Sequence, residues 1–260
     1  MSRPWIVILG ASSGFGAASA KAFAAAGYGV FGVHLDRRGA MPQVEALVEE
    51  LRSHGVPVVY HNENAADDEA RGRALTRLRD AVEPDTGTVR VLLHSLAFGT
   101  LRPFFDTEVP LQRRQLEMTL DVMANSLVYW TQDLVQSGLF GTGGRIYAMT
   151  SAGSLAAWPA YGAVSAAKCA LESHIRQLAV ELAPRKITAN AIMAGVTQTP
   201  ALEKIPGSEA LVAAALARNP HKRLTTPDDV ARCLVELARD GTSWLTGNVL
   251  RVDGGEAIAG

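Results

Sequence analysis

The chain is short of several things, and each shortage excludes something. It has only two cysteines, Cys169 and Cys233. Two thiols cannot build a disulfide framework or a structural zinc site, and they point to a reducing compartment. An excess of one charge is also missing: 25 Lys and Arg stand against 26 Asp and Glu, a formal net charge of −1. That balance leaves no basic field to hold a nucleic-acid backbone or an anionic membrane. No long hydrophobic run is present. The longest near the start, 5–9, is too short for a signal-peptide core or a membrane span. Internal repeats, low-complexity tracts and a Pro/Gly/Ser-rich linker are absent too. A soluble cytoplasmic protein is expected, acting without nucleic acid, membrane or bound metal.

What is present is a globular composition, 48% hydrophobic over 260 residues, enough for one large α/β domain or two small ones. Short apolar runs at 5–9, 29–35, 56–61, 89–94, 144–149, 188–193 and 248–252 read continuously apolar. That pattern suits strands covered on both faces, as in a parallel sheet. Between them lie amphipathic, Ala-rich stretches at 15–26, 44–54, 68–82, 112–137, 161–182, 209–217 and 227–238, which read as helices. Strand–helix alternation predicts right-handed crossovers and a doubly wound, seven-stranded parallel sheet flanked by helices, a Rossmann fold. Seven strands use up the chain, so one domain over 1–260 is expected. Thr226, Pro227, Asp228 and Asp229 have the chemistry of a helix start, and Gly27 that of a helix end. The segment 197–207 holds Pro200 and Pro206 without a clear pattern; a mobile substrate loop is expected around 197–222.

The first strand runs into Gly10-Ala11-Ser12-Ser13-Gly14-Phe15-Gly16, and a helix follows. Glycines at this spacing let the backbone turn tightly and approach a pyrophosphate seated on the helix N-terminus. A glycine-rich turn alone decides little; its place between the first strand and first helix of a βαβ unit points to a dinucleotide. Ser12 and Ser13 offer hydroxyls to phosphate or ribose. The second strand ends His34-Leu35-Asp36-Arg37-Arg38. An acid there suits the 2′-hydroxyl of NAD, and arginines suit the 2′-phosphate of NADP. Both types are present, so both cofactors stay open at this point, as does a merely solvated Arg37 and Arg38.

These features resemble a short-chain dehydrogenase/reductase along the whole chain. Asn64-Ala65 follows the third strand, where that family holds adenine. Ala194-Gly195-Val196-Thr197-Gln198-Thr199 follows the sixth, similar to the family's P-G-x-x-x-T. Val252-Asp253-Gly254-Gly255 closes the chain in the family manner. Ordinary members carry Tyr-x3-Lys, but here Val164 stands at that distance from Lys168. The nearest tyrosine is Tyr161, giving Tyr-x6-Lys. This spacing resembles the enoyl-acyl-carrier-protein reductase branch. So does His94-Ser95-Leu96-Ala97-Phe98 after the fourth strand, and so does Asp121 where ordinary members place an Asn. Ser151, ten residues before Tyr161, stands where many enoyl reductases have a second tyrosine and where ordinary members place their serine. The mixture is most similar to a subgroup that tends to use NADPH.

The resemblance implies hydride transfer to the β-carbon of a 2-enoyl thioester, small-molecule or carrier-bound. Tyr161 would donate to the thioester oxygen and Ser151 would assist. Lys168 would hold the cofactor ribose and lower the phenol pKa. The implied cofactor contacts are Gly10, Ser12, Ser13, Gly14, Phe15, Gly16, Arg37, Arg38, Asn64, Ala65, Ser95, Leu96, Ala97, Lys168, Gly195, Thr197 and Thr199, with NADPH preferred over NADH. Bland roles are weighed beside these: His94 as a satisfied structural histidine, Cys169 as a packing residue, Trp130, Phe140 and Met149 as core, Trp158 as a pocket wall. A carbonyl reductase using Ser151, Tyr161 and Lys168 is the alternative reaction, and a non-catalytic dinucleotide sensor a minor one. The long helices 112–137 and 161–182 are apolar over more than one face, which predicts a homotetramer or homodimer.

Overall fold

The computed structural model describes residues 3–82, 88–105 and 108–259. Seven parallel strands form one sheet in the order β3-β2-β1-β4-β5-β6-β7. They are β1 Pro4–Leu9, β2 Gly29–His34, β3 Val58–Asn62, β4 Thr88–His94, β5 Phe140–Thr150, β6 Thr188–Ala194 and β7 Val249–Val252. The helices are α1 Gly14–Ala25, α2 Met41–Arg52, α3 Asp68–Val82, α4 Arg113–Leu120, α5 Ser126–Gln136, α6 Gly162–Glu181, α7 Pro200–Glu203, α8 Ser208–Arg218 and α9 Pro227–Leu237. This is a single Rossmann-like α/β domain, as the alternation of patterns implied. Among the described residues, no helix is long and apolar enough to cross a membrane.

The strands read as apolar throughout because both faces are covered. Along β1, Trp5, Val7 and Leu9 point into one core layer with Leu78 of α3, Leu127 and Trp130 of α5, and Leu171 of α6. Ile6 and Ile8 point into the other, with Phe23 of α1, Leu51 of α2 and Leu234 of α9. The period of two splits each strand between the layers. Each large side chain buried this way contributes about 1.5–3 kcal/mol. That burial, rather than propensity, holds α1, which begins with the weak helix formers Gly14 and Gly16.

Three boundaries differ from expectation. The stretch 112–137 is not one helix: a π turn, Asp121–Asn125, separates α4 from α5. The amphipathic period does not reveal it, because the extra residue leaves the apolar positions either side facing the same layer. Strand β5 begins at Phe140, ahead of the expected 144, because Gly141, Gly143 and Gly144 interrupt its apolar pattern. The unpatterned 197–207 holds the one-turn helix α7, started by Pro200 and capped by Thr199 Oγ1, which accepts from the Leu202 amide at 3.3 Å. The expected start and stop signals operate as read. Thr226 and Asp229 form a capping box, and Gly27 ends α1 at φ +85°.

Candidate active site

Every sequence-predicted site residue lies at or just beyond the carboxyl ends of the parallel strands. The register aligns these ends: Leu9 pairs with Val33 and His94, His94 with Ala148, Ala194 with Val252. The strand order reverses between β1 and β4, the place where open α/β sheets bind ligands.

The glycine loop spans β1 and α1. Gly10 has φ +87°, and a Cβ there would lie 2.5 Å from the Ser95 carbonyl oxygen. A Cβ on Gly16 would drive into the Gly10 carbonyl. Gly14 has φ +52°, and its open side faces Thr199, whose Cγ2 is 3.5 Å from where a Cβ would stand. Ser13 is the helix N-cap, exposed and with a hydroxyl that makes no cap hydrogen bond. Ser12 is half-buried, and Phe15 packs partly on the core. This is a cradle of backbone amides at a helix N-terminus with no side chain in it, so it fits a pyrophosphate.

Beyond β2, Asp36 is held within the chain. His34 Nδ1 lies 2.9 Å from its carboxylate, and its backbone is clasped by Asn62, which accepts from the Asp36 amide at 3.0 Å and donates to its carbonyl at 3.1 Å. Arg37 and Arg38 are exposed and have no side-chain partner among the described residues. Beyond β3, Asn64 Oδ1 accepts from the Ala66 amide at 3.0 Å. The buried Ala65 gives its carbonyl to the Trp130 indole N–H at 2.8 Å. Beyond β4, Ser95 abuts Gly10, Leu96 packs half-buried on the core, and Ala97 is exposed. Beyond β6, Thr197 is buried and its hydroxyl donates to the Gly195 carbonyl at 2.9 Å.

The chemical groups gather at β5 and the start of α6. Ser151 accepts from the Gly153 amide at 3.2 Å and stands 3.4 Å from the Tyr161 hydroxyl. It is thus both a turn serine and a neighbour of the tyrosine. Tyr161 is the N-cap of α6 and is buried. The residue before it, Ala160, takes φ +60°, a conformation costing a non-glycine residue about 1–2 kcal/mol. Gly153 is required beside the ring, since a Cβ there would meet Tyr161 Cε1. Trp158 meets the same ring edge-on at 5.3 Å between centroids and packs against the core.

Lys168 is buried, which excludes a surface lysine. It donates one hydrogen bond to the Met149 carbonyl at 2.7 Å, and an ammonium has two more N–H groups to give. Burial lowers its pKa to about 8, with Glu172 pulling it back up. Glu172 also accepts from Thr150 at 2.6 Å. The expectation that Lys168 lowers the phenol pKa does not hold. Burial raises Tyr161, and the opposing influence is the Ser151 hydrogen bond; the Lys168 ammonium is instead committed to β5.

Asp121 does not join this group. It opens the π turn and accepts from the Tyr129 hydroxyl at 2.9 Å. His94 is buried, with Nε2 2.9 Å from Ser126 Oγ. The Ser126 hydroxyl donates to the Val122 carbonyl, so His94 carries its proton on Nε2. Burial and the Lys168 charge lower its pKa to about 3, so it is a neutral structural histidine at ordinary pH. Trp130 is fully buried and Phe140 and Met149 nearly so. Cys169 is exposed, not packed: it lies one residue beyond buried Lys168, on the outer side of α6.

Three residues near this edge lay outside the sequence expectations. Phe104 presses its ring where Gly162 has no side chain, 2.5 Å from the position of a Cβ. Leu155 is exposed one turn beyond Ser151. Glu256 holds the loop after β6. Only spacing in space, not along the chain, marks them. The His34–Asp36 pair had a signal: residues two apart share a side of an extended strand.

A family model described as Enoyl-(Acyl carrier protein) reductase matches residues 10–256. The chain is 28% identical over 222 residues to the enoyl-acyl-carrier-protein reductase (NADH) FabI of Aquifex aeolicus, covering 85% of this chain and 80% of that protein. It is 31% identical over 255 residues to 1-cyclohexenylcarbonyl-CoA reductase of Streptomyces collinus, covering 97% and 86%. The crystal structure of the Aquifex aeolicus enoyl reductase superposes with a TM-score of 0.83 at 26% identity, covering 99% of this chain and 97% of that one. A Burkholderia cenocepacia short-chain dehydrogenase in complex with NADP superposes equally, TM-score 0.83 at 25% identity, covering 98% of each chain. Fold, glycine cradle and these likenesses agree: the chain is an oxidoreductase of the short-chain dehydrogenase/reductase superfamily and belongs to its Enoyl-(Acyl carrier protein) reductase family.

Proposed function

We propose that the protein reduces the carbon–carbon double bond of a 2-enoyl thioester, with NADPH preferred over NADH. The observation that carries this reading is the Ser151–Tyr161 pair, 3.4 Å apart, at the Tyr-x6-Lys spacing and beside an apolar rim of Trp158 and Phe104. A bound nicotinamide would supply hydride to the β-carbon. Charge then grows on the thioester oxygen, where a fixed donor is worth most. Burial keeps the Tyr161 phenol protonated, so it donates to that oxygen. Ser151 uses its lone pair on Gly153 and keeps its proton for Tyr161 or the substrate. The two free N–H groups of Lys168 would hold the ribose hydroxyls. The apolar rim would take the acyl chain.

The NADPH preference rests on Asp36 being held by His34 while Arg37 and Arg38 stand free. The other assigned contacts line the same edge: Gly10, Ser12, Ser13, Gly14, Phe15 and Gly16 around the pyrophosphate, Asn64 and Ala65 at adenine, Ser95, Leu96 and Ala97 beneath the ribose, Gly195, Thr197 and Thr199 towards the nicotinamide. Segment 197–222 would close over the substrate. Homotetramer assembly goes with this reading too: Val180, Trp244 and Leu245 are exposed apolar side chains near the end of α6 and the approach to β7. A stable monomer in sedimentation at micromolar concentration would reject it. A cytoplasmic setting accords with two free thiols.

The test is cofactor oxidation with crotonyl-coenzyme A and a longer 2-enoyl thioester, run beside ketones and β-ketoacyl thioesters. Enoyl turnover is expected, with NADPH favoured. Tyr161→Phe should lower it by about 100-fold or more and leave dinucleotide affinity within about twofold. Turnover of ketones alone would favour a carbonyl reductase, to which the Ser151–Tyr161 pair is equally suited.

A further inference from the structure

Glu256 lies just past β7, is 7% exposed, and has no part in the reaction described above. Its carboxylate faces the amide of Val196, with Oε2 at 3.1 Å and Oε1 at 3.4 Å. That amide has already left the sheet, because β6 ends at Ala194, paired with Val252. The carboxylate also occupies the space a side chain at 195 would need. A Cβ on Gly195 would lie 2.9 Å from Glu256 Oε2 and would run into Thr225 Oγ1.

The turn that carries Glu256 is itself braced. Asp253 accepts from the Gly255 amide at 3.0 Å and the Ala257 amide at 3.1 Å. Its carbonyl accepts from Asn219 Nδ2 at 3.1 Å, which ties in the chain between α8 and α9. Gly195 N donates to the Val252 carbonyl at 3.2 Å. The loop 195–199 therefore hangs from a frame in which the carboxylate that reaches the loop's own backbone is that of Glu256. Burying a carboxylate is costly, and an apolar residue would fill the space more cheaply. What the carboxylate adds is a directed acceptor for one amide.

We propose that Glu256 is a positioning residue for the nicotinamide half of the dinucleotide. By fixing the Val196 amide it sets Thr197, and it sets Thr199 opposite Gly14 across the groove. This rests on the reading of 195–199 as the nicotinamide side of the site.

The test uses the full-length protein and isothermal titration with the intact dinucleotide it prefers and with the matching adenosine fragment, 2′,5′-ADP or ADP. Glu256→Ala is expected to weaken the intact dinucleotide by about tenfold, the loss of one charge-assisted hydrogen bond, while the fragment stays within about twofold. Glu256→Gln keeps an oxygen acceptor and should stay within about threefold of the parent for both. Glu256→Asp withdraws the carboxylate by one methylene and should show the same selective loss, smaller; it serves if the alanine variant does not fold. Unchanged affinity for both ligands, or an equal loss of both, would overturn the proposal. Thr199→Ala separates the causes. If it weakens the dinucleotide where the Glu256 variants do not, the site reading stands and the role of Glu256 fails. If it has no effect either, the assignment of 195–199 fails as well.

Discussion

The carboxyl edge of the sheet is built differently on its two sides. Around β1 the candidate site is backbone. A Cβ on Gly10 or Gly16 would strike the Ser95 or the Gly10 carbonyl, and Gly14 takes a φ of +52° that a side chain would strain. One continuous segment supplies all of it. Around β5 and β6 the site is side chains from separate elements: Ser151 from the turn after β5, Tyr161 from the mouth of α6, and Lys168 from within that helix, reaching back to Met149. The first side depends on the absence of atoms and tolerates no addition. The second depends on a few polar atoms held at defined distances, so its chemistry can change while the fold stays put. The tyrosine at 161 rather than 164 is such a change, and strained Ala160 and bare Gly153 accommodate it.

This contrast can be broken in order of expected effect. Gly16→Ala should reduce dinucleotide affinity by about 100-fold and destabilise the fold by about 1–3 kcal/mol, the range for overpacking a rigid site. Calorimetric binding and thermal unfolding would measure both. A variant that binds normally would show that the cradle is not where the pyrophosphate sits.

The second prediction concerns pH. The Lys168 pKa of about 8 means its ammonium is lost as pH rises through that value. Enoyl kcat/KM should therefore fall about tenfold per pH unit above 8, while affinity for an adenosine fragment stays flat. Stability moves the other way. Between about 8 and 10.5 the unfolded chain keeps a proton that the folded chain has released, so this group stabilises the fold as pH rises through that interval. A flat kcat/KM profile to pH 10 would remove Lys168 from the reaction.

The smallest effect is expected at the solvated end of the edge. Changing Arg37 and Arg38 together to alanine should cut NADPH preference by about fivefold, leave NADH within about twofold, and matter less at high salt. Parallel titrations at two ionic strengths would check it. Equal losses for both cofactors would mean that the arginines do not read the 2′-phosphate.

Much of this was legible along the chain. Continuous apolar runs marked all seven strands, since a strand covered on both faces cannot alternate. The glycine spacing marked the tight turn between β1 and α1. The π turn was not legible, because Asp121 and Ser126 reveal their partners, Tyr129 and His94, only in space. The commitment of Asp36 to His34 was legible only through their two-residue spacing, which puts both on one side of an extended segment. Cys169 shows the limit of neighbour reasoning: adjacent residues on a helix point about 100° apart, so buried Lys168 says nothing of the next side chain.

What the sequence determined by itself was the fold class and the glycine turn between β1 and α1. Periodicity and glycine placement act locally, and the chain carries them in order. What only the tertiary structure decided was the electrostatics. Lys168 drops to about 8 and His94 to about 3 through burial, and Glu256 finds the Val196 amide sixty residues away. Desolvation and long-range contact depend on what the folded chain packs around a group, which no local spacing records.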